Sequence, residues 1–533
     1  MKKRLIALFL ALILCLGLAA CGSSTQSSQD PAPAQSGKSD SSNPGSSTPA
    51  ASANTNTEKG PPVEITVALS TVPTTLDHLT DNLLPAITLA WCVFDRLVNI
   101  SDNGEWSPSI AKSWEKVDGR TWRFEIDLDA KFQNGDPLTM DDVVYSIMRL
   151  KDTPKSADVG KMVESATYEG NILTITFVDE NNSTPTTVLW TATIVNKKYL
   201  EEGGDDALYL KPIGTGPWKV TEFTPSASCT VETWDGYPGK KPQIDIIHFI
   251  PINETATRYI ALETGQVQYG DSFTALELEL AESNPDMQTI VKQSNTIMAF
   301  IFSTKKPPFD NVNVRRALAY AIDRESMASL DPGSIPVASL VFGGYDEYYM
   351  ESSKWPKFDL DKAKELLAAE GYDESNPLKF ELISVIDRPA MQLLQSDLLK
   401  IGVEMTITRV EFSAYLPIEA SGDFDMIYTG QSARGNHPLT DLARLDANSI
   451  GSRNASQYTD PKMQEIIQKM YVTDDHAELL RLDAELNELI ADAVPALCAT
   501  CGATRSIMTK DLTGVTIDPS GRGNFRNAEY HPS

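Results

Sequence analysis

The chain contains few histidines and cysteines, and its acidic residues outnumber its basic ones. Its 533 residues include five His, six Cys, 46 Lys and Arg, and 73 Asp and Glu, which gives a formal net charge of −27. This balance argues against nucleic acid as a partner and against broad contact with anionic lipid. The histidines have no spacing that would form a metal cluster by themselves, so we predict neither a metal site nor a cofactor.

The cysteines do not show the spacing of a disulfide framework. Cys92 and Cys229 stand alone, and Cys498 and Cys501 form a C-x-x-C pair that no second such pair and no His pair complements. Two buried thiols or a local disulfide therefore fit this pair better than a metal site. G-x-S-x-G, H-E-x-x-H and a glycine-rich phosphate loop are also missing. We predict no catalytic residue and no enzymatic activity, although the many Asp and Glu leave a catalytic carboxylate pair open as an alternative.

The one long apolar run lies at the N-terminus, at residues 5–16, after three basic residues. It is too short to span a bilayer as a stable helix. The sequence Leu18-Ala19-Ala20-Cys21-Gly22 follows it and places small residues directly before a cysteine. This arrangement resembles the lipobox of bacterial lipoproteins, which implies a signal peptide at residues 1–20 and palmitate-type lipidation of Cys21 as a membrane anchor. A plain secretory signal with an incidental cysteine is the alternative.

Residues 21–60 are rich in Ser, Thr, Pro and Ala and have hardly an apolar side chain. Such a composition cannot bury enough surface to offset the entropy of ordering, so we predict a disordered tether. The remaining residues, 61–533, are enough for two or three lobes with cores of their own.

Hydrophobic periodicity predicts a mixed α/β protein. Apolar and polar residues alternate at 63–69, 121–128 and 173–177, as in half-buried strands. In the second half, Val314, Ala317, Leu318 and Ala321 recur at helical spacing, with Asn313 in position for an N-cap. Further helices are predicted at 361–370, 464–471 and 478–493. Helices and strands that alternate favour βαβ units in the second half, while the first half is typical of an α+β arrangement.

Several short blocks of sequence occur in a recognisable order. They are residues 75–77 with 94–98, 108–115 with 118–124, 132–139 with 141–146, 214–218, 314–323 and 422–426. Together they resemble the family 5 extracellular solute-binding proteins, which serve peptide, nickel and related ABC importers. Most blocks also have local roles; Asp118-Gly119 is a hairpin turn and Asp141 a candidate N-cap. They therefore indicate the fold and not the ligand.

The resemblance implies a two-lobed α/β fold of the periplasmic-binding-protein type II with an extra inserted α+β subdomain. By motif position, lobe I comprises residues 61–100, 211–303 and 505–533, the inserted subdomain 101–210, and lobe II 304–504. The implied function is that of a monomeric lipoprotein receptor on the outer face of the bacterial cytoplasmic membrane. It would capture a peptide or another small solute between the lobes and deliver it to the permease subunits of an ABC importer. A nickel-type metal-chelate receptor and a sensory lipoprotein without a transport role are the alternatives.

In peptide-binding relatives of this kind, a segment after the 422–426 block lines the cleft. Its backbone pairs with the peptide like an added strand, and its aspartate neutralises the peptide's free amine. Here that segment begins at Gly430 and ends at Pro438, with Gln431 at a tryptophan position and Arg434 at the aspartate position. The resemblance therefore implies a set of cleft residues: Gly430, Gln431, Ser432, Arg434 and His437, with Tyr145 at a cleft tyrosine position and Leu84 at a backbone-contact position.

Arg434 reverses the charge at the selective position. A guanidinium repels an ammonium and suits a carboxylate or phosphate, which favours an anionic or amine-blocked solute. If the loop is shifted, Arg434 points to solvent and another acid, Asp441 or Asp446, binds the amine. His437 replaces an acid and precedes the proline, whereas in nickel-binding relatives a histidine follows it; metal-chelate binding is the alternative for this residue.

The charge reversal predicts the outcome of the substitution Arg434→Asp. The original protein should bind anionic or amine-blocked peptide-like solutes, and the variant should bind them more weakly because the attraction becomes repulsion. Isothermal titration of both proteins with acetylated and free-amine peptides measures this difference. Tight binding of free-amine peptides that is unaffected by the substitution would contradict the hypothesis.

Overall fold

The computed structural model describes residues 61–81, 83–102, 104–153, 155–342 and 352–532, without the side chains of residues 205 and 434. The predicted signal peptide, Cys21 and the predicted tether lie outside the described residues. The described strands are β1 (Glu64–Leu69), β2 (Val98–Ile100), β3 (Trp106–Pro108), β4 (Ala111–Lys116), β5 (Thr121–Ile126), β6 (Val163–Glu169), β7 (Ile172–Phe177), β8 (Trp218–Thr224), β9 (Ser228–Thr233), β10 (Ile246–Pro251), β11 (Tyr269–Gly270), β12 (Met287–Phe302), β13 (Ile335–Pro336), β14 (Lys379–Ser384), β15 (Glu404–Arg409), β16 (Met426–Ser432), β17 (Ala496–Thr509), β18 (Leu512–Thr513), β19 (Thr516–Ile517), β20 (Gly523–Asn524) and β21 (Glu529–Tyr530).

Helices alternate with these strands along most of the chain. They are α1 (Leu84–Val93), α2 (Met140–Met148), α3 (Ala157–Gly160), α4 (Ser183–Thr191), α5 (Lys197–Tyr209), α6 (Thr255–Glu263), α7 (Ala275–Glu282), α8 (Val312–Tyr320), α9 (Arg324–Ser329), α10 (Leu360–Ala369), α11 (Pro389–Lys400), α12 (Phe412–Ser421), α13 (Pro461–Val472) and α14 (His476–Ala493). Short 3-10 turns occupy Arg149–Lys151, Arg434–Asn436, Pro438–Arg444 and Ala447–Ser449. None of the helices in the described ranges combines the length and the apolar character that crossing a bilayer requires.

One large mixed sheet forms the frame of the molecule. Its strand order is β15-β14-β16-β12-β17-β11-β1-β10-β9-β8, and β13 pairs with β17. The long strands β12 and β17 run antiparallel to each other, from the pair Met287 and Thr509 to the pair Ile301 and Ala496. One end of β17 pairs with β11, and the opposite end of β12 pairs with β16. A separate four-stranded antiparallel sheet has the order β4-β5-β7-β6.

The apolar side chains of the described residues form several distinct buried clusters. The largest lies within residues 297–501 and packs β12, β14, β16 and β17 against α8, α11, α13 and α14. A second contains β1, β9, β10 and the residues after Met508, with a smaller cluster beside it under α6. A third lies between the four-stranded sheet and α2 and α4. The boundaries that we assign to the lobes and the inserted subdomain stay a prediction.

Most of the predicted elements are confirmed, and the errors concern their caps. The strands at 63–69, 121–128 and 173–177 and the helices at 361–370, 464–471 and 478–493 are present as β1, β5, β7, α10, α13 and α14. The predicted cap Asn313 is wrong: Asn311 has the extended backbone of an N-cap, and its side chain accepts from the Asn313 N–H. The cap proposed at Asp141 is also wrong, because Thr139 caps α2 in a reciprocal capping box with Asp142.

The described cysteines are free and buried. Burial raises the pKa of both Cys498 and Cys501 to about 12, so both are thiols at neutral pH. Of the two alternatives left open by the sequence, the structure has buried thiols.

Candidate functional site

The candidate segment begins on β16, whose last four residues pair with another strand on one side only. Strand β12 pairs with β16 along its whole length, from Met426 to Ser432. On the other side, β14 pairs only with Met426, Ile427 and Tyr428. Among the described strands, Thr429–Ser432 therefore pair with β12 alone, and their second backbone edge can accept an added strand.

The residues on this edge alternate between two faces. Gly430 and Ser432 are exposed, and the Ser432 hydroxyl lies 2.7 Å from the hydroxyl of Thr296 on β12. Gln431 is buried and points to α12, where its Nε2 donates to Glu419 Oε1 at 3.3 Å. The structure thus brings Gly430 and Ser432 to an accessible face, while the Gln431 side chain serves the packing behind the strand.

Beyond the strand, the loop from Gly435 to His437 lies against α4 and Gly104. Gly435 has φ +62°, and a Cβ atom built on it would lie 3.3 Å from the Thr186 carbonyl oxygen of α4. A Cβ atom built on Gly104 would lie 3.2 Å from the His437 Cα. Asn436 is buried, and its Oδ1 accepts from Asn295 Nδ2 at 3.1 Å. These contacts hold the loop between β12 and α4.

His437 is a neutral structural cap in this arrangement. It precedes the turn Pro438–Arg444, and its Nδ1 accepts from the Leu439 N–H at 3.3 Å. Burial lowers the pKa of His437 to about 4. In the described ranges, no group of three or more His, Cys, Asp or Glu stands in an arrangement that could hold a metal ion.

The two acids considered as alternatives to Arg434 both have structural partners. Asp441 is fully buried, with Arg444 Nη2 at 2.7 Å from its Oδ1 and the Phe342 N–H donating to its Oδ2. The same Arg444 donates to the Gln431 carbonyl oxygen at 2.6 Å, which fixes the candidate strand from behind. Asp446 caps the turn Ala447–Ser449.

Helix α4 connects the loop to a group of arginines and tryptophans. Thr186 contacts Gly435, and Trp190 lies one turn further along the same helix face. Trp190 packs edge to face on Trp91 of α1, with the ring centroids 6.2 Å apart. The Arg522 Cζ lies 4.3 Å from the Trp190 ring centroid, and the Arg96 Cζ lies 4.5 Å from that of Trp91. We call Trp91, Trp190, Arg96 and Arg522 the arginine–tryptophan cluster.

Two ion pairs support this cluster. Asp518 accepts from the Arg522 guanidinium at 2.7 Å and from the Arg522 backbone N–H at 3.0 Å, which fixes the side chain in the hairpin between β19 and β20. Arg526 pairs with Asp95 at 2.7 Å and donates to the Trp91 carbonyl oxygen at 3.1 Å, a favourable place for a cation at a helix C-terminus. Burial, followed by the charges of Arg526 and Arg522, lowers the pKa of Arg96 to about 9.

The remaining candidates lie in different surroundings. Leu84 begins α1, and its Cδ2 would lie 3.8 Å from a Cβ built on Gly521, next to Arg522 of the cluster. Tyr145, on α2, packs against the buried cluster around β1 and β10. The Arg434 side chain lies outside the described part of the chain, although its backbone is in the loop beside α4. The roles of all the candidate cleft residues stay predictions.

Sequence reasoning did not find the arginine–tryptophan cluster. Its members come from α1, the segment after α1, α4 and the hairpin that follows β19. These positions have no common spacing, so no motif could join them. Arg96 falls within one of the sequence blocks, but nothing in that block indicates that its side chain lies on a tryptophan ring.

Comparison with solved structures shows the fold. The dipeptide-binding protein from Pseudoalteromonas sp. SM9913 in complex with Met-Leu is similar with a TM-score of 0.76 at 19% sequence identity, covering 88% of this chain and 100% of that chain. The oligopeptide-binding protein AppA from Bacillus subtilis, in complex with a nonapeptide, is similar with a TM-score of 0.73 at 20% identity, covering 89% and 100%. The predicted two-lobed periplasmic-binding-protein fold is confirmed.

Sequence comparison identifies the family. Residues 105–452 match the bacterial extracellular solute-binding proteins, family 5 (middle region), and this chain belongs to that family. The dipeptide-binding protein of Escherichia coli (strain K12) is 24% identical over 478 residues, covering 82% of this chain and 88% of that protein. The nickel-binding protein NikA of Staphylococcus aureus (strain NCTC 8325 / PS 47) is 26% identical over 415 residues, covering 75% and 81%. These relatives are binding proteins, which is consistent with the prediction of no enzymatic activity.

The buried state of His437 predicts a pH dependence of stability. The folded state keeps this imidazole neutral down to about pH 4, whereas the unfolded chain takes up a proton below about pH 6.5. Its contribution therefore lowers the free energy of unfolding as the pH falls from about 6.5 to 4, by about 2 kcal/mol at pH 5. His437→Asn keeps a capping side chain and cannot be protonated, so it should lose less stability between pH 7 and pH 5.

Urea unfolding at pH 7 and pH 5 measures this difference. His531→Asn is the matched control, because the His531 side chain is 69% exposed. If the original protein and the His437→Asn variant lose the same stability between the two pH values, the burial of this imidazole is not maintained in solution.

Proposed function

We propose that this protein is a lipid-anchored extracytoplasmic receptor that captures a small peptide or peptide-like solute between its lobes and delivers it to an ABC importer. Membership of solute-binding family 5 supports the binding role. The peptide complexes among the similar structures support a peptide-like solute.

The backbone edge of Thr429–Ser432 opposite β12, which pairs with no described strand, is the observation that carries this proposal; the Ser432 carbonyl oxygen already accepts from Arg453 Nη2 at 2.5 Å. Main-chain groups recognise an extended peptide independently of its side chains, which suits a receptor for a class of peptides. The edge ends where the loop Gly435–His437 meets α4, so a bound strand would lie at the contact between the largest buried cluster and the third one. Burial from both sides gives affinity without any chemical step.

The chemistry of the solute is the finer part of the proposal. Arg434 at the expected aspartate position favours an anionic or amine-blocked ligand. A nickel-type chelate is the second candidate within the same fold, and the nickel-binding relative supports it. A sensory lipoprotein without a transport role is the third. Adjacent permease and ATPase genes would favour transport over sensing.

A binding proposal predicts that solute stabilises and compacts the protein. A ligand at about 100 times its Kd adds about 2.7 kcal/mol to the free energy of unfolding, which raises the melting temperature by several degrees. Closure of the lobes should reduce the radius of gyration in solution scattering. The probes are a dipeptide and tripeptide library, nickel–histidine complexes and a set of sugars, and mass spectrometry identifies what co-purifies with the protein. If none of the probes changes either quantity, the receptor proposal fails.

Lipid anchoring predicts a specific effect of Cys21→Ala in the full chain expressed in a Gram-positive host. The variant lacks the acylated thiol, so labelled palmitate should no longer be incorporated and the protein should move from the membrane fraction to the medium. Cys15→Ala is the matched control, because the predicted cleavage removes that residue. Unchanged membrane attachment of Cys21→Ala would contradict the lipid anchor and leave the binding function untouched.

A further inference from the structure

The arginine–tryptophan cluster contains three buried nitrogen donors that have no hydrogen-bond partner among the described residues. They are Arg96 Nη1, Trp190 Nε1 and Arg522 Nε. Buried donors in folded proteins are nearly always satisfied. Guanidinium and indole groups donate hydrogen bonds and do not accept them. A group that completes this cluster must therefore be an acceptor.

The cluster and its neighbouring residues carry more positive than negative charge. Arg522 pairs with Asp518 and Arg526 pairs with Asp95, both at 2.7 Å. No carboxylate among the described residues lies within ion-pair distance of Arg96; the neighbouring guanidinium groups repel it, and Asp518 and Asp95 attract it less strongly. The whole chain carries a net charge of −27, so this local excess is not part of a generally basic surface. Arg96 is half-buried, but its Nη1 atom is fully buried and has no hydrogen-bond partner among the described residues, so an anion that accepts from it would stabilise the cluster.

The arginines lie close to the tryptophan rings and keep one N–H donor each without a partner, Arg96 Nη1 and Arg522 Nε. The Arg522 Cζ lies 5.4 Å from the Trp91 ring centroid and 4.3 Å from that of Trp190, and Arg96 lies over Trp91. A guanidinium that stacks on a ring keeps its N–H groups in its own plane, where a carboxylate accepts two of them at once. An apolar group next to that carboxylate can lie along the indole rings.

The cluster also lies close to the candidate strand edge. Thr186 of α4 meets Gly435 of the loop, and Trp190 follows one helical turn later, about 5.4 Å along the axis. Leu84, itself a candidate cleft residue, lies beside Gly521, the neighbour of Arg522. A short extended solute on the edge of Gly430–Ser432 is therefore within reach of the cluster.

We propose that Arg96, Arg522, Trp91 and Trp190 form the carboxylate-binding subsite of the solute cleft, so that the captured solute is peptide-like and carries a free carboxylate. This inference rests on the proposed receptor function and names its substrate class. The subsite binds the acid end of the solute, whereas the expectation for Arg434 concerns the amine end. The two are therefore separable by experiment.

The test uses the full chain and one dipeptide library in four forms: free, C-terminally amidated, N-acetylated, and both acetylated and amidated. Titration calorimetry measures affinity, and thermal unfolding measures stability. Both forms with a free carboxylate should bind at least about tenfold more tightly than their amides. Arg96→Gln should abolish that difference, and Arg96→Lys should retain part of it, since it keeps the charge and loses the planar fork.

Arg123→Gln is the matched control, because Arg123 is a 52% exposed arginine on β5 and should not affect any of the four forms. Trp190→Phe provides a second test that does not depend on folding of the arginine variants. It keeps a ring, removes one donor and should weaken binding of the acids more than binding of the amides.

The outcomes separate this proposal from the receptor function. Equal affinity for acids and amides in the original protein overturns the subsite and leaves the receptor intact. Binding of none of the four forms contradicts both proposals. A loss of several degrees in the melting temperature of solute-free Arg96→Gln would show that the guanidinium serves stability, because removal of a buried, unpaired charge should leave the solute-free protein equally or more stable.

Discussion

The antiparallel pairing of β12 with β17 is the interaction on which the rest of the structure depends. These strands have 16 and 14 residues. Through their pairing, the hydrogen-bonded sheet continues from β11, next to β17, to β16, next to β12. The register shifts between Gln293 and Ile297, so Ser294 and Asn295 leave the regular ladder. Asn295 then holds Asn436 through its side chain and Ala433 through its carbonyl oxygen. The irregularity in the frame therefore positions the candidate loop, as bulges near functional sites commonly do.

A structural feature could be predicted from the sequence when the residues that cause it lie close together in the chain. Helix α10 was predictable because its apolar spacing and the positive-φ residue Gly371 that follows it lie within a few positions of each other. The cap at Asn311 was missed because two asparagines are two residues apart, and the backbone angle that decides between them depends on the preceding turn. The boundary of the candidate segment was readable from its motif. The inward direction of the Gln431 side chain could not be predicted from the sequence, because it depends on the register of β16 against β12.

The electrostatic design concentrates positive charge in a strongly negative chain. Asp518 and Asp95 pair with two of the three guanidinium groups around Trp91. These two pairs reduce the cost of burying the third guanidinium, that of Arg96. A fold selected for stability alone would remove Arg96 or give it a carboxylate. Retention of a half-buried guanidinium with no carboxylate at ion-pair distance is typical of a site in which stability is exchanged for recognition. The sequence could not reveal this, since charge balance is a property of side chains brought together from distant positions.

In the proposed receptor, closure of the cleft would be driven by the solute, because some of the direct contacts between the assigned inserted subdomain and lobe II are weak. Lys116 pairs with Asp474 at 3.0 Å, but the Asp474 side chain is 73% exposed. Exposed pairs of this kind contribute about 1 kcal/mol or less. Asn182 adds hydrogen bonds to the backbone around Tyr471 and Thr473, which water can replace when the lobes part. A ligand shifts such an equilibrium only by the difference between its affinities for the open and closed states. In the proposed receptor, a solute held by the β16 edge at one end and by the arginine–tryptophan cluster at the other would touch both sides at once, and only a closed state would offer both contacts. The same two contacts would therefore select the solute and stabilise closure.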